Sequence, residues 1–249
     1  MAIMIKTPQE IAKMRRSGEV LQKVLHAVRE VVAPGVSTMD LEKAAARTIA
    51  ELGGTPAFKG YHGYPACLCT SVNDEVIHGI PSAKKILAEG DVVSVDCGVV
   101  LDGFYSDSAV TIPVGKVAPA VRKLLDVTQQ SLEAAIQEVQ VGATIGDIGA
   151  TVQEAVEANG FGIVRDFVGH GIGRSMHEDP QIPNYGTRGK GPKLRAGMVL
   201  AIEPMVNIGT GDVKVLEDGW TAVTVDGKWS AHFEHTVAVT ESGPVILTR

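Results

Sequence analysis

The chain holds no apolar run approaching the ~20 residues of a membrane span, which excludes a transmembrane helix. It has no basic excess: the formal charge of -6 argues against broad nucleic-acid or membrane-surface binding. Its start, M-A-I-M-I-K-T-P-Q-E, lacks the basic-then-apolar layout of a signal peptide. Cysteine is sparse and odd in number (Cys67, Cys69 and Cys97), so no disulfide framework is implied and a reducing cytoplasm fits. The Cys67-x-Cys69 spacing is not that of a zinc knuckle, and these thiols read as small buried side chains. No low-complexity segment or linker divides the 249 residues, and aromatics make up only 4% of them.

What is present is a 45% hydrophobic chain with clear helix punctuation. Thr7-Pro8-Gln9-Glu10 reads as a capping box opening a helix. Ile11, Met14, Leu21, Val24, Leu25, Val28 and Val32 carry its apolar face, and Pro34-Gly35 ends it. A second helix is expected from Ser37 or Thr38 to Gly53-Gly54, strands over 65–111, helices over 119–139 and 144–159, and strands again from Phe161 onward. The stretch 184–193 (N-Y-G-T-R-G-K-G-P-K) reads as the most flexible.

That order of elements repeats. At an offset of 107, Gly35, Ser37, Asp40 and Leu41 align with Gly142, Thr144, Asp147 and Ile148. The shared pattern is a turn, a cap and an acidic first turn suited to the helix dipole. The same offset aligns Ile49 with Val156, Gly53 with Gly160, Leu87-x-x-Gly90 with Leu194-x-x-Gly197, and Val92-Val93 with Val199-Leu200. It then lays Asp96 on Glu203. Two pseudo-symmetric α-β halves, roughly 7–115 and 116–249, are expected to meet in one sheet within a single domain, with the site near the pseudo-twofold axis.

The charges that stand out are those in apolar surroundings: Asp96 in V-V-S-V-D, Asp107 in Y-S-D-S-A-V, His170 in V-G-H-G-I-G, Glu203 in V-L-A-I-E-P and Glu234 in F-E-H-T-V-A-V. An ionised carboxylate on a buried strand face is very costly without a cation beside it. Four converging carboxylates need more than one positive charge, which points to two divalent ions and to metal-assisted hydrolysis. Asp102-Gly103 is a strong hairpin dipeptide. If Leu101 pairs with Phe104, Asp96 faces position 109 and Asp107 faces position 98, so the two aspartates share a face as diagonal neighbours. His78 and His177 are candidates to polarise a carbonyl or hold a developing oxyanion. Phe58, Tyr61 and Tyr64 cluster in F-K-G-Y-H-G-Y-P, and with Trp220 they line either a pocket or a plain core.

The motifs Y-H-G-Y-P (61–65), S-V-N-D-E-V-I-H-G-I-P (71–81), D-G-F-Y-S-D (102–107), G-H-G-I-G-R-S-M-H-E-D-P (169–180), I-E-P-M (202–205), D-G-W (218–220) and F-E-H-T (233–236) resemble type I methionine aminopeptidase over nearly the whole chain. The resemblance implies the α+β pita-bread fold, a central antiparallel sheet with helices on its outer face. It implies a single catalytic domain over 1–249, without the long helical insertion of type II enzymes or an N-terminal zinc-finger extension. It implies removal of initiator methionine from nascent chains whose second residue is small; the chain's own Met1-Ala2 start would qualify.

By the same resemblance, Asp107 and Glu234 bridge both metals, Asp96 chelates one, and His170 and Glu203 complete the other. A bridging water or hydroxide is the nucleophile, and Glu203 relays its proton as general base. His78 and His177 stabilise the scissile peptide and the tetrahedral intermediate. Phe58, Tyr61, Tyr64, Cys69, Met176 and Trp220 form the methionine pocket, where a thioether suits aromatic and sulfur groups. A carboxylate-rich site with one imidazole and no thiolate suits Mn, Fe or Co, and zinc also fits. The expected partners are nascent N-termini beginning with Met, with ribosome association following from that role; no membrane or specific nucleic acid is expected, and the chain is taken as a monomer. Two alternatives stand beside this reading. One is an Xaa-Pro aminopeptidase or prolidase, which shares all five ligands but usually carries a long N-terminal domain. The other is a pita-bread binding module, which should lack one or more of them.

Overall fold

The computed structural model describes residues 2–249; Met1, the residue on which the Met1-Ala2 expectation turns, lies outside them. Among the described residues the chain forms four α-helices: α1 (Pro8–Val31), α2 (Thr38–Glu51), α3 (Pro119–Gln137) and α4 (Ile145–Glu157). Three of them open on capping boxes. Thr7, Ser37 and Thr144 each accept from the backbone three residues on, and the acidic residue there reaches back to the cap: Thr7 N donates to Glu10 Oε2 (2.9 Å), Ser37 N to Asp40 Oδ2 (3.2 Å) and Thr144 N to Asp147 Oδ2 (2.7 Å). The fourth, α3, starts on Pro119 without a side-chain cap. Both α3 and α4 stop short of the sequence expectation. Glu138 N donates to Ala135 and Ile136 carbonyls, tightening the final turn, and Gly160 at φ +77° closes the end of α4.

The two halves answer each other atom for atom. Gly35 N donates to Leu87 O (2.8 Å) and Leu87 N to Val36 O (2.8 Å); Gly142 N donates to Leu194 O (3.0 Å) and Leu194 N to Ala143 O (2.7 Å). Ser37 bridges Ile86 in one half, and Thr144 bridges Lys193 in the other. Gly35 and Gly142 sit at φ +89° and +91°, a left-handed conformation that favours glycine. The described strands are grouped in four antiparallel sheets, and the helices of each half pack against strands of that half. In the first half Leu21, Val24, Val28, Leu41 and Ile49 pack on Leu68, Val93, Val95 and Val99; in the second, Leu124, Leu132, Ile148 and Val152 pack on Leu200, Ile202 and Val237.

Every strand pair among the described residues is antiparallel. The first half contributes a long hairpin, Val92–Leu101 with Phe104–Pro113, whose register is the expected one: Leu101 opposite Phe104, Gly98 opposite Asp107, Asp96 opposite Ala109. Its turn residues, Asp102 and Gly103, sit at φ +51° and +76°, as a two-residue type I′ turn requires. The second half places Val199–Ile202 between His235–Thr240 and Gly169–Gly171, with Ile202 opposite His235 and Ala201 opposite His170.

The halves join where the strand Phe104–Pro113 meets the segment 232–236. Glu234 N donates to Ala109 O (3.0 Å) at the centre of this junction. Ser108 Oγ donates to Glu234 O (2.7 Å) beside it. The stretch 184–193, which reads as flexible, is instead tied to the start of α4: Gly146 N donates to Lys190 O (2.9 Å), Gly189 N to Asp147 Oδ1 (2.8 Å) and Arg188 Nη2 to Glu154 Oε2 (2.7 Å). The unpaired amides of a helix N-terminus need partners, and this loop supplies carbonyls to them.

Candidate metal centre

The carboxylates reach one place because strand periodicity and the junction aim them there. Asp96 and Asp107 sit on the same face of the long hairpin, and Glu203 follows directly on Val199–Ile202. Glu234 lies across from Ala109, the residue opposite Asp96. Asp107, His170 and Glu234 offer ligand atoms within 4.8 Å of one another. His170 Nε2 is 3.7 Å from Glu203 Oε1 and 3.9 Å from Asp107 Oδ2, and Asp96 lines the same cavity.

All of these groups are buried, and burial dominates their protonation. It pushes the Asp96 carboxyl up to about 7, against the lowering effects of Asp107 and the Cys97 backbone. Burial, then the charges of Glu234 and Asp96, holds Asp107 well above the carboxylate range. Glu203 is raised by burial and then by Asp107 and Asp96; Glu234 by burial and then by Glu203 and Asp96. Without a cation, such a cluster sheds charge by keeping protons.

Three features make the cluster fit metal ions. Asp96 Oδ1, Asp107 Oδ1 and Glu234 Oε1 are buried with no hydrogen-bond partner, although buried polar atoms are nearly always paired. His170 Nδ1 lies 2.9 Å from Gly171 O, and a carbonyl can only accept, so the proton is on Nδ1. Its Nε2 lone pair then faces carboxylate oxygens, a repulsive arrangement that a cation between them reverses. Burial lowers the His170 pKa to about 3, so its imidazole is neutral and ready to ligate. The donor set is four carboxylates and one imidazole, suited to first-row divalent ions rather than to soft-metal thiolate sites.

Beside the carboxylates opens a cavity of about 140 Å³. Its lining brings together every residue singled out from the sequence: the five ligands, His78 and His177, and Phe58, Tyr61, Tyr64, Cys69, Met176 and Trp220. Phe58, Tyr64, Cys69 and Met176 are buried and pack as one apolar cluster, with Tyr61 and Trp220 at its edge. Tyr64 is anchored by donating from its hydroxyl toward the carbonyls of Leu68 (2.9 Å) and Gly79 (3.0 Å). Its ring meets Trp220 edge-on at 5.1 Å.

The two helper histidines face the same space. Tyr61 shares a 2.7 Å hydrogen bond between its hydroxyl and His177 Nδ1; with the phenol as donor, the His177 proton sits on Nε2. His177 stands 4.2 Å from the His170 ring, centroid to centroid. His78 takes a left-handed backbone (φ +62°) and packs edge-on against Phe167. Burial lowers His78 to about 4, and burial followed by His62 lowers His177, so neutral rings are favoured.

Sequence reasoning missed two residues here. Ile77 lines the cavity beside His78. His232 is buried, its Nε2 has no hydrogen-bond partner, and that atom lies 3.6 Å from Glu203 Oε2. Period-two alternation back from Glu234 puts His232 on the same face, and that signal could have found it.

Comparison with known proteins agrees with this geometry. The profile of "Metallopeptidase family M24" matches residues 12–241. A methionine aminopeptidase of Clostridium perfringens is 52% identical over 246 residues, covering 99% of this chain and 98% of its own. The crystal structure of methionine aminopeptidase from Thermotoga maritima superposes with a TM-score of 0.98 at 52% identity, covering 100% of both chains. The prolidase from Pyrococcus furiosus superposes with a TM-score of 0.79 at 24% identity, over 98% of this chain and 65% of that one, a likeness of fold alone.

Proposed function

The chain belongs to metallopeptidase family M24, and from that premise we infer that it is a type I methionine aminopeptidase, releasing initiator methionine from nascent chains whose second residue is small. The observation that carries this reading is the meeting of a metal-type carboxylate cluster with a small, largely apolar cavity of aromatic and sulfur groups. The cavity accepts an unbranched thioether, and its small volume and lack of charged groups beyond the metal cluster disfavour a longer or ionic side chain.

Asp96, Asp107, His170, Glu203 and Glu234 would hold two divalent ions, with Mn, Fe or Co favoured by the hard donors and zinc also compatible. When bound, the ions polarise the scissile carbonyl and lower the pKa of water enough to supply a nucleophile near neutral pH. The rest falls to the chain's own side chains. Phe58, Tyr64, Cys69, Ile77, Met176 and Trp220 seat the methionine side chain and exclude water from it. His78 and His177, neutral and donating from the nitrogen turned to the cavity, stabilise the oxygen that gains charge as the carbonyl becomes tetrahedral. Glu203 takes the proton of the attacking water and delivers it to the leaving amine. Residues 1–249 act as one catalytic domain in this reading, as a monomer in the reducing cytoplasm; the three buried, unpaired cysteines support that compartment.

The test is to strip the protein with chelator, restore Mn, Co or Fe, and measure hydrolysis of Met-Ala-Ser beside Ala-Pro-Ala. Metal-dependent release of methionine from the first peptide alone is expected. Cleavage of the second alone would move the protein to the Xaa-Pro class, and silence on both with every metal would leave a binding module.

A further inference from the structure

The turn that carries Met176 and His177 into the site leaves the sheet after Ile172, whose N donates to Val199 O (3.1 Å). It joins Gly169–Gly171 to Glu178–Ile182, and the pairing between these strands is broken by a register shift after His170, with Gly171 opposite Glu178. Arg174, Ser175 and His177 are exposed and lie beyond the paired residues, while Met176 is buried in the cavity wall and His177 Nδ1 meets the Tyr61 hydroxyl.

The backbone between those contacts is folded by a side chain from the turn's end and a lysine from near the start of the chain. Glu178 Oε1 accepts from the backbone of Arg174 (2.8 Å) and Ser175 (3.3 Å), folding the turn back on itself. Glu178 Oε2 takes Lys6 Nζ at 2.5 Å. The two side chains are only 6% and 10% exposed, so the pair is largely desolvated. Lys6 is itself anchored: its backbone N donates to Gly197 O (2.7 Å), and its ammonium also reaches Met4 O (3.3 Å). A side chain at Gly173 would collide with this pair, since a Cβ there would lie 2.4 Å from Lys6 Cε and 2.8 Å from Glu178 Oε1. Gly173 O in turn accepts from Tyr105 N (2.8 Å), next but one to Asp107. Outside the pair, Arg174 reaches Glu10 (3.1 Å) in the capping box of α1, an exposed contact of little weight.

We propose that Lys6 and Glu178 are positioning residues for the reaction: their buried ion pair sets the turn that presents Met176 to the methionine cavity and His177 to the scissile peptide. The proposal rests on the methionine aminopeptidase reading of the site. Neither residue touches the reacting atoms; they act through the backbone that places His177 between Tyr61 and His170. Glu178→Gln keeps the shape and an acceptor for the turn amides, but sets amide N–H groups against the Lys6 ammonium, donor against donor, and leaves that charge without a counterion.

The experiment compares wild type, Glu178→Gln, His177→Ala and the Glu178→Gln/His177→Ala double variant, all full-length. It reads Met-Ala-Ser kinetics, metal content, and hydrogen exchange over 173–178. For Glu178→Gln we expect kcat to fall roughly 10- to 100-fold, as for a catalytic group displaced by about 1 Å. Metal content should match wild type, and the amides of Arg174 and Ser175 should exchange faster. Adding Glu178→Gln to His177→Ala should cost much less in kcat than adding it to wild type, because the part of the loss that runs through the His177 imidazole is already gone and only the placing of Met176 remains. Additive losses, unchanged exchange, or loss of metal along with activity would overturn the proposal.

A second variant guards against misfolding. Lys6→Met/Glu178→Met removes both buried charges, a change that often leaves stability intact. It should melt near wild type yet stay impaired in kcat; wild-type kcat there would also overturn the proposal. If wild type itself releases no methionine, the functional reading fails, while the exchange measurement still judges the ion pair.

Discussion

Thr111 and Thr236 make the same pair of hydrogen bonds on opposite sides of the junction between the halves. Thr111 Oγ1 donates to His232 O (2.8 Å) and accepts from His232 N (2.8 Å). Thr236 Oγ1 donates to Asp107 O (2.8 Å) and accepts from Asp107 N (3.0 Å). The Glu234 N to Ala109 O bond lies between them. Each hydroxyl thus replaces a strand partner for one residue of the other half, and Ala109 and Glu234 lie midway between the two threonine contacts. One threonine steadies the backbone of a proposed ligand, Asp107, and the other steadies His232, which borders Glu203.

Thr236→Val keeps the shape and removes both bonds. Asp107 N–H is then buried without an acceptor, a cost of about 1–3 kcal/mol. Urea unfolding should show that loss, and metal affinity should fall with it, because the backbone that aims Asp107 is freed. Thr111→Val should cost similar stability but less metal affinity. Equal affinity in both variants would remove the claim that Thr236 serves the metal centre.

Glu203→Ala should abolish turnover, since it removes a ligand and the proposed proton carrier together. Glu203→Gln separates these roles in part: the amide oxygen can still coordinate, but the group cannot take a proton. We expect kcat to fall by roughly 10²–10⁴ for the glutamine variant, the usual contribution of a positioned acid-base group. Near-normal rates in either variant, measured with saturating metal, would assign the proton transfer elsewhere.

Much of this was legible in the sequence because its determinants are local. Thr7, Ser37 and Thr144 announce helix starts through residues three positions on, and Asp102-Gly103 fixes the register that puts Asp96 and Asp107 on one face. The offset of Asp96 to Glu203 was readable because turn, cap and strand repeat in step. What stayed hidden depends on distant packing. The partnership of Lys6 with Glu178 has no signature at either position. The ordering of 184–193 comes from amides of α4 that its Gly-rich composition does not reveal. His232 lies one residue before the F-E-H-T motif, and its approach to Glu203 is made across strands that the local sequence does not pair.

The cysteines should resist modification. Burial, then the nearby Asp96 charge, holds the Cys69 and Cys97 thiols well above their usual range, and burial followed by Glu42 pushes Cys67 up to about 12. The thiolate is the reacting species, so iodoacetamide near pH ~8 should leave the native protein unlabelled. Intact mass spectrometry should show three added groups only after unfolding in guanidinium, one for each of Cys67, Cys69 and Cys97. Rapid labelling of native Cys69 would mean that the cavity wall opens.

Metal-dependent stability should grow with pH. In the metal-free protein Asp96 titrates at about 7 instead of 3.8, and Asp107, Glu203 and Glu234 are also raised. An acid with a raised folded pKa contributes stability that is fully present below its unfolded value and is lost as pH rises through its folded value. Between roughly pH 4 and 8 the metal-free carboxyl cluster therefore becomes steadily less favourable, as charges form with nothing to balance them. His170 has the opposite sign: depressed from 6.5 to about 3, it contributes stability above 6.5 that is lost as pH falls through about 3. Metal ions compete with the carboxyl protons and remove the repulsion, so binding tightens as pH rises. Thermal unfolding of chelated and Mn-loaded protein at about pH 5 and about pH 8 should show a wider gap in Tm at the higher pH. Asp107→Asn should narrow that gap by raising the Tm of the metal-free form at the higher pH. A gap independent of pH would mean that the carboxylates are already balanced by some group of the protein itself, and the case for ions at this cluster would lose its electrostatic basis.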